Sequence, residues 1–280
     1  MKLVHAFDHF VVPVDDLVVA EEFYTRVFSG QITRRNGLNV THRKRGAVPH
    51  TFITIGGKRI GVYLQSEHRP APQGPSGSPT YSFITTTQGL EQTIKELKQF
   101  GTEFEGPVKN AHSFAVQSIF FHDPAGNYFE VYVPQTDAWS GNTENGRITG
   151  VGYLELEAPD LEASIKFYQQ VLGFELEEHA ANSSNKAGQA SLAIPSGQSL
   201  ILTAVPFSPK GLVMKRTVPG PHIAFYIEGD DWDRALQHLE QLGIPNADRG
   251  AAKEPRPGRG GTYMDDPAGN VIQFITEGME

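Results

Sequence analysis

The chain has 280 residues, 39% of them hydrophobic and 10% aromatic, with a formal net charge of -8 at pH 7; this is enough apolar material for two ordinary cores, the expectation at this length. The acidic balance excludes a nucleic-acid groove or an anionic membrane surface as the principal partner, because each needs a basic stripe. Cysteine is absent, which excludes disulfides, cysteine nucleophiles and thiolate metal ligands.

The N-terminal stretch MKLVHAFDHFVVPVDD has too short an apolar run for a signal peptide, and no run reaches the roughly 18 apolar residues of a spanning helix. A cytoplasmic location is expected. A first strand alternates around His9 and is followed by a helix whose buried face reads Leu17, Ala20, Phe23, Tyr24 and Val27, the i, i+3, i+4, i+7 pattern. Gly30 is read as the glycine that stops this helix, and HRKRG (His42 to Gly46) as a solvated basic loop. Strands TFITIG (Thr51 to Gly56) and RIGVYLQ (Arg59 to Gln65) meet at the Gly56-Gly57 turn. RPAPQGPSGSP (Arg69 to Pro79) is an irregular connection. Strand TYSFIT from Thr80, a helix ending at Phe100-Gly101, strand SIFF (Ser118 to Phe121), the turn DPAGN (Asp123 to Asn127) and strand NYFEVYV complete the first half. In the turn, proline presets one corner and glycine supplies a positive φ, so two strands can meet as a hairpin.

The second half repeats the first. Phe23-Tyr24 aligns with Phe167-Tyr168, 144 residues on, and DPAGN recurs at Asp266 to Asn270, running into NVIQFIT. The polar segment PQTDAWSGNTENGR (Pro134 to Arg147) reads as a linker. The expected domains are 1–134 and 148–280, joined by 135–147. Within each half the order strand, helix, short meander also occurs twice, so the chain consists of four modules.

A first strand with an acidic turn, a helix bearing FYxxVxG and a closing DPxGNxxE hairpin resemble the vicinal oxygen chelate superfamily. That superfamily includes glyoxalase, bleomycin and fosfomycin resistance proteins, methylmalonyl-CoA epimerase and the extradiol dioxygenases. FYQQVLGFELEE (Phe167 to Glu178) and the two DPAGN hairpins carry the resemblance most specifically, and four modules in one chain look most like the dioxygenase branch. The resemblance implies an α+β fold of four βαβββ modules in two tandem-duplicated domains, with cupped mixed sheets and metal ligands on the first and last strands of modules. Strand alternation then puts His9 and Val11, Gly61 and Tyr63, Thr80 and Ser82, Tyr128, Glu130 and Tyr132, Tyr153, Glu155 and Glu157, and His222, Ala224 and Tyr226 inside the cups.

Carried over position by position, the family's first-strand ligand is His9, Thr80, Tyr153 and His222 in the four modules, and its last-strand glutamate is Glu130 in the second and Gln273 in the fourth. If modules pair in sequence order, His9 and Glu130 share one cup and neither cup holds two histidines. If the first pairs with the fourth, His9, His222 and Gln273 gather in one cup while Thr80, Tyr153 and Glu130 fill the other. The expected cofactor is a divalent ion (Fe, Mn, Ni, Co or Zn), or none. Two imidazoles and an amide would leave such an ion its full charge for an anionic substrate. This set departs from the glyoxalase pattern of four protein ligands.

The expected activity is that of a metal-dependent enzyme on a substrate chelating through vicinal oxygens, most like an extradiol dioxygenase, with Tyr226 or Tyr63 aiding proton transfer. The alternatives are a metal-free small-molecule binder of the bleomycin-resistance type and a glyoxalase-like or epimerase-like lyase or isomerase. A small-molecule partner is expected, no nucleic acid and no membrane, in a monomer or homodimer. Tyr263 is a further inward tyrosine. Arg256 and Arg259 read as solvated charges, or as a cap on an anionic substrate. His5, His42, His50, His68, His112, His122, His179 and His238 are assigned to structural or surface use.

Overall fold

The computed structural model describes residues 3–44, 48–65, 79–135, 147–180, 188–205, 221–246 and 261–276. The basic run at His42, the connection at Arg69 and the arginines Arg256 and Arg259 fall wholly or partly outside these residues, as do 136–146 of the expected linker. The first module contains β1 (Ala6–Val14), α1 (Leu17–Val27), β2 (Gln31–Asn36), the short α2 (Val40–Lys44), β3 (His50–Ile55) and β4 (Lys58–Leu64). The second contains β5 (Thr80–Thr85), α3 (Thr87–Phe100), β6 (Phe104–Lys109), β7 (Ala115–His122) and β8 (Tyr128–Pro134). The third has β9 (Ile148–Ala158), α4 (Leu161–Phe167) running into a π-helical turn at Tyr168–Leu172, β10 (Glu175–Ala180), β11 (Gln189–Ala193) and β12 (Ser199–Ala204). The described part of the fourth has β13 (His222–Tyr226), α5 (Trp232–Gln241), β14 (Gly261–Asp265) and β15 (Val271–Ile275).

Two mixed sheets result, ordered β14-β15-β13-β1-β4-β3-β2 and β10-β11-β12-β9-β5-β8-β7-β6. The order sets β1 beside β13 and β9 beside β5. First-module and fourth-module strands are therefore neighbours, and so are those of the second and third. Residues form two compact units, Val11–Leu154, and Met1–Phe10 together with Glu155–Glu280.

Helix starts follow from short acceptor side chains. Asp16 caps α1 by accepting from the backbone N–H of Val18 at 2.7 Å and Val19 at 3.2 Å, and Asp160 caps α4 through Ala163 at 3.0 Å; each satisfies amides that the helix itself cannot. The end of α1 differs from the expectation. Phe28 is the cap and Ser29, with φ 55°, takes the left-handed position, while Gly30 serves close approach. A Cβ there would stand 2.6 Å from Ile53 Cγ2 and 2.9 Å from the Tyr24 carbonyl oxygen, so the glycine is needed for packing against β3 rather than for its dihedral freedom.

The DPAGN turns are built as expected at glycine, with φ 89° at Gly126 and 87° at Gly269. Their aspartates do more than shape a turn. Asp123 Oδ1 accepts from the N–H groups of Ala125 at 2.9 Å and Asn127 at 2.8 Å, and Oδ2 accepts from Asn127 Nδ2 at 2.8 Å and from the Tyr24 hydroxyl at 2.9 Å. Asp266 repeats the pattern with Ala268, Asn270 and the Tyr168 hydroxyl, the last at 2.8 Å. In both copies the tyrosine of the Phe-Tyr pair thus ties its helical segment to the closing hairpin. Both aspartates and both tyrosines are buried.

Aromatic packing fills the same interfaces. In the unit Val11–Leu154, the ring of Phe28 lies 4.7 Å from Phe83, 5.4 Å from Phe129 and 5.8 Å from Phe121. Phe129 and Val131 are thereby the helix-facing residues of β8, as alternation predicts. In the other unit Phe174 meets Phe225 at 5.2 Å and Phe7 meets Phe225 at 6.3 Å, fixing the buried face of β13.

Each Tyr-to-Asp bond is a buried contact to a carboxylate, so Tyr24→Phe and Tyr168→Phe are each expected to cost about 1.5–3 kcal/mol in urea unfolding. Burial raises both aspartates above the ordinary carboxyl range, outweighing the donors that pull them down. The folded state then binds the proton more tightly than the unfolded one. This contribution to stability is full below the unfolded value of about 3.9 and is lost as pH rises through the raised folded value. The stability gap between the native protein and Asp123→Asn should accordingly narrow with rising pH across that acid window, which a pH series of urea midpoints will show.

Candidate functional site

His9 lies on β1 and His222 opens β13, the neighbouring strand. Ala224 pairs with Gln273 on β15, and Gln273 with Tyr263 on β14. Paired residues share a face and alternate residues of one strand share it too. His222, Ala224, Tyr226, Gln273 and Tyr263 consequently look the same way, opposite to Phe225 and its aromatic neighbours. All of this lies within one unit.

The two imidazoles meet directly. His9 Nε2 and His222 Nε2 are 3.2 Å apart, with ring planes at 76°. The ring of Tyr263 stands 5.3 Å from that of His222 and perpendicular to it. His9, His222, Tyr263 and Gln273 are all buried. Gln273 Oε1 is buried with no hydrogen-bond partner, a costly state for an acceptor unless something supplies positive charge or a donor. Behind His9, Asp8 Oδ2 lies 2.5 Å from Nδ1. A carboxylate there holds the proton on Nδ1 and leaves the Nε2 lone pair facing His222.

These features fit a metal ion. Two imidazole nitrogens bound at about 2.0–2.1 Å to one ion, at tetrahedral or octahedral angles, stand about 3–3.4 Å apart, and the observed separation falls in that interval. The side chains this face offers are two imidazoles and an amide: among the described residues, no group of three or more His, Cys, Asp or Glu side chains is placed to hold an ion.

Tyr226 sits four residues along the same face of β13, half-buried, its ring 6.4 Å from that of His5. Tyr63 is a buried residue of β4 opposite His50 and belongs to the unit Val11–Leu154.

In the second unit the corresponding positions assemble differently. Ser82 pairs with Glu130, and Thr80 with Tyr128. The Tyr153 hydroxyl donates directly to Glu130 Oε2, and Ser82 Oγ bridges the Tyr153 backbone, accepting from its N–H at 2.6 Å and donating to its carbonyl at 2.8 Å. His112 Nε2 lies 3.1 Å from the same Glu130 oxygen, a structural use that its loop position did not specify. The other Glu130 oxygen, Oε1, is buried without a partner. Burial and the neighbouring Glu130 push the Tyr132 phenol above its ordinary range.

His68 and the side chain of His42 lie outside the described residues, and five other histidines stand apart from both clusters. His5 faces Asp231 at 3.4 Å, His50 contacts the Val48 carbonyl oxygen at 2.7 Å, His179 faces Glu162 at 3.3 Å and His238 contacts the Gln170 carbonyl oxygen at 2.7 Å. His122 is exposed and rests against Tyr128, ring centroids 4.9 Å apart. Sequence reasoning missed Asp8, although its signal stands one position before His9. It also missed the reach of His112, which sits in a loop where strand alternation says nothing.

The profile of the Glyoxalase/Bleomycin resistance protein/Dioxygenase superfamily matches residues 6–131 and 150–274. The chain belongs to this superfamily, and each half is one copy of its domain. Among solved structures it is similar to a candidate dioxygenase from Bacillus subtilis, at 15% identity and TM-score 0.70 over 99% of this chain and 87% of that one. It is also similar to glyoxalase I from Zea mays, at 18% identity and TM-score 0.62 over 97% and 92%. These likenesses establish the duplicated α+β fold. Among the described residues no helix is long and apolar enough to cross a membrane.

Removing the Tyr153 hydroxyl takes one of two donors from a fully buried carboxylate. Tyr153→Phe should therefore destabilise the protein by about 1.5–3 kcal/mol, read as a lower urea midpoint at unchanged slope.

Proposed function

We propose that His9, His222 and Gln273 hold a divalent metal ion and that the protein acts on a small substrate binding through two neighbouring oxygens, most like the ring-cleaving extradiol dioxygenases of its superfamily. The observation that carries this reading is the 3.2 Å approach of the two Nε2 atoms on the same face as the unpartnered Gln273 Oε1. When bound, Fe, Mn, Ni, Co or Zn would supply Lewis acidity and open positions for the substrate oxygens.

The chain's own groups do the rest. All three donors are neutral in the ligating state, so the positive charge is left to attract an anionic oxygen pair. Asp8 keeps the His9 lone pair directed inward. Tyr226, on the face of His222, is the proposed proton carrier, with Tyr263 orienting the substrate beside His222. Tyr63, the other tyrosine proposed for proton transfer, lies in the other unit.

A second reading rests on the same distance. At 3.2 Å His222 can donate Nε2–H to the His9 lone pair, which makes the imidazole pair self-sufficient, and the missing carboxylate weakens any metal site. The face would then bind an apolar small molecule without metal.

Metal loading separates the two. After dialysis against Fe(II) or Mn(II), elemental analysis should find one ion per chain. His9→Ala or His222→Ala should abolish it, and Gln273→Glu should tighten binding by about tenfold or more, since a full anionic charge replaces an amide dipole. Substoichiometric metal with every divalent ion, unchanged by His222→Ala, favours the metal-free reading. With metal bound, oxygen uptake with a panel of catechols tests ring cleavage, and its absence redirects the assignment to lyase or isomerase chemistry.

A further inference from the structure

Glu130 is 0% exposed. Its Oε2 takes the Tyr153 hydroxyl and His112 Nε2, while Oε1 is buried with no partner. Among the described residues no lysine or arginine is ion-paired with it, and His112 is its one ion-pair neighbour. Beside the carboxylate stands a cluster of aromatic rings. His112 stacks on Phe114 at 4.9 Å, Phe114 lies 5.4 Å from Tyr132 and 5.8 Å from Tyr153, and Tyr132 lies 6.2 Å from Tyr153. The side chain of His112 is 30% exposed and Phe114 38%. The carboxylate is thus fully buried, while His112 and Phe114, in the loop that precedes β7, reach solvent.

We propose that this cluster is a second, metal-independent binding site, whose ligand is a small organic molecule carrying a protonated amine. An unsatisfied carboxylate oxygen requires a donor, and a charged N–H forms the stronger bond. Ring faces carry negative quadrupole potential, which favours a cation over a neutral donor of the same shape. The ammonium group takes Glu130 Oε1, while Tyr153 and His112 remain on Oε2. The carbon body of the ligand lies against Phe114, at the end of the cluster that reaches water, with the buried ring of Tyr132 beside it. A metal ion is the poorer occupant, because the position equivalent to His9 is filled by a tyrosine whose hydroxyl is already spent on Glu130, and that of His222 by Thr80.

The test is calorimetric titration of the full-length protein with benzylammonium chloride, and with benzyl alcohol as its uncharged counterpart. Saturable binding of one benzylammonium per chain is expected, with the alcohol at least about tenfold weaker. Glu130→Gln should weaken amine binding by about tenfold or more, and Phe114→Leu, at a partly exposed position, by about threefold. His222→Ala should leave amine binding unchanged, so that this result stands apart from the fate of the metal proposal. Should Glu130→Gln fail to fold, the alcohol comparison and Phe114→Leu decide the matter. The proposal is overturned by the absence of saturable heat, by equal affinity for the alcohol, or by amine binding indifferent to both Glu130→Gln and Phe114→Leu.

Discussion

A buried tyrosine hydroxyl on a buried aspartate, made once in each half, is the contact on which the placement of both clusters depends. Tyr24 holds Asp123 and Tyr168 holds Asp266, and the last strand of the module leaves directly from the turn each aspartate organises. Glu130 and Gln273 both stand seven residues beyond their aspartates. The clamp therefore fixes the hairpin against its helical segment, and the hairpin sets which residue reaches the functional face. Burying a carboxylate is expensive, and four donors to each aspartate offset that cost. The motif must accordingly be kept whole: the proline and glycine shape the corner, the asparagine supplies two donors, and the helix supplies the hydroxyl.

On this common frame the two copies have diverged chemically. One unit sets two imidazoles against each other beside an amide; the other sets a phenol on a carboxylate with a loop histidine. Both leave the same oxygen of the same strand position unpartnered, Gln273 Oε1 and Glu130 Oε1. The imidazole pair is the setting proposed for a metal ion. In the second unit a carboxylate and aromatic rings stand where the amide and imidazoles do, the setting proposed for an organic cation. Duplication has thus yielded two faces with different donor sets.

The parity of the strands was readable without coordinates. Phe129 and Val131 face the helix and Glu130 does not, because alternation leaves only two faces and one of them must be apolar. The same argument put His222 on the face opposite Phe225, while Gln273 came from the family's ligand position. What misled was local and geometric. Gly30 reads as a helix terminator, yet Ser29 takes the left-handed turn and the glycine is required by Ile53 across the gap. His112 belongs to no periodic element, and its contact with Glu130 depends on how the loop folds back.

Sequence by itself determined the α+β fold of repeated modules and the duplicated hairpins, because hydrophobic periodicity and turn chemistry are short-range properties of the chain. It left two module pairings open, and they predict different ligand sets. Only the tertiary structure decided that β13 lies beside β1 and that His9 meets His222 across 213 positions of chain. Pairing between distant strands is set by the packing of whole faces, and no local pattern around either histidine encodes the identity of its partner.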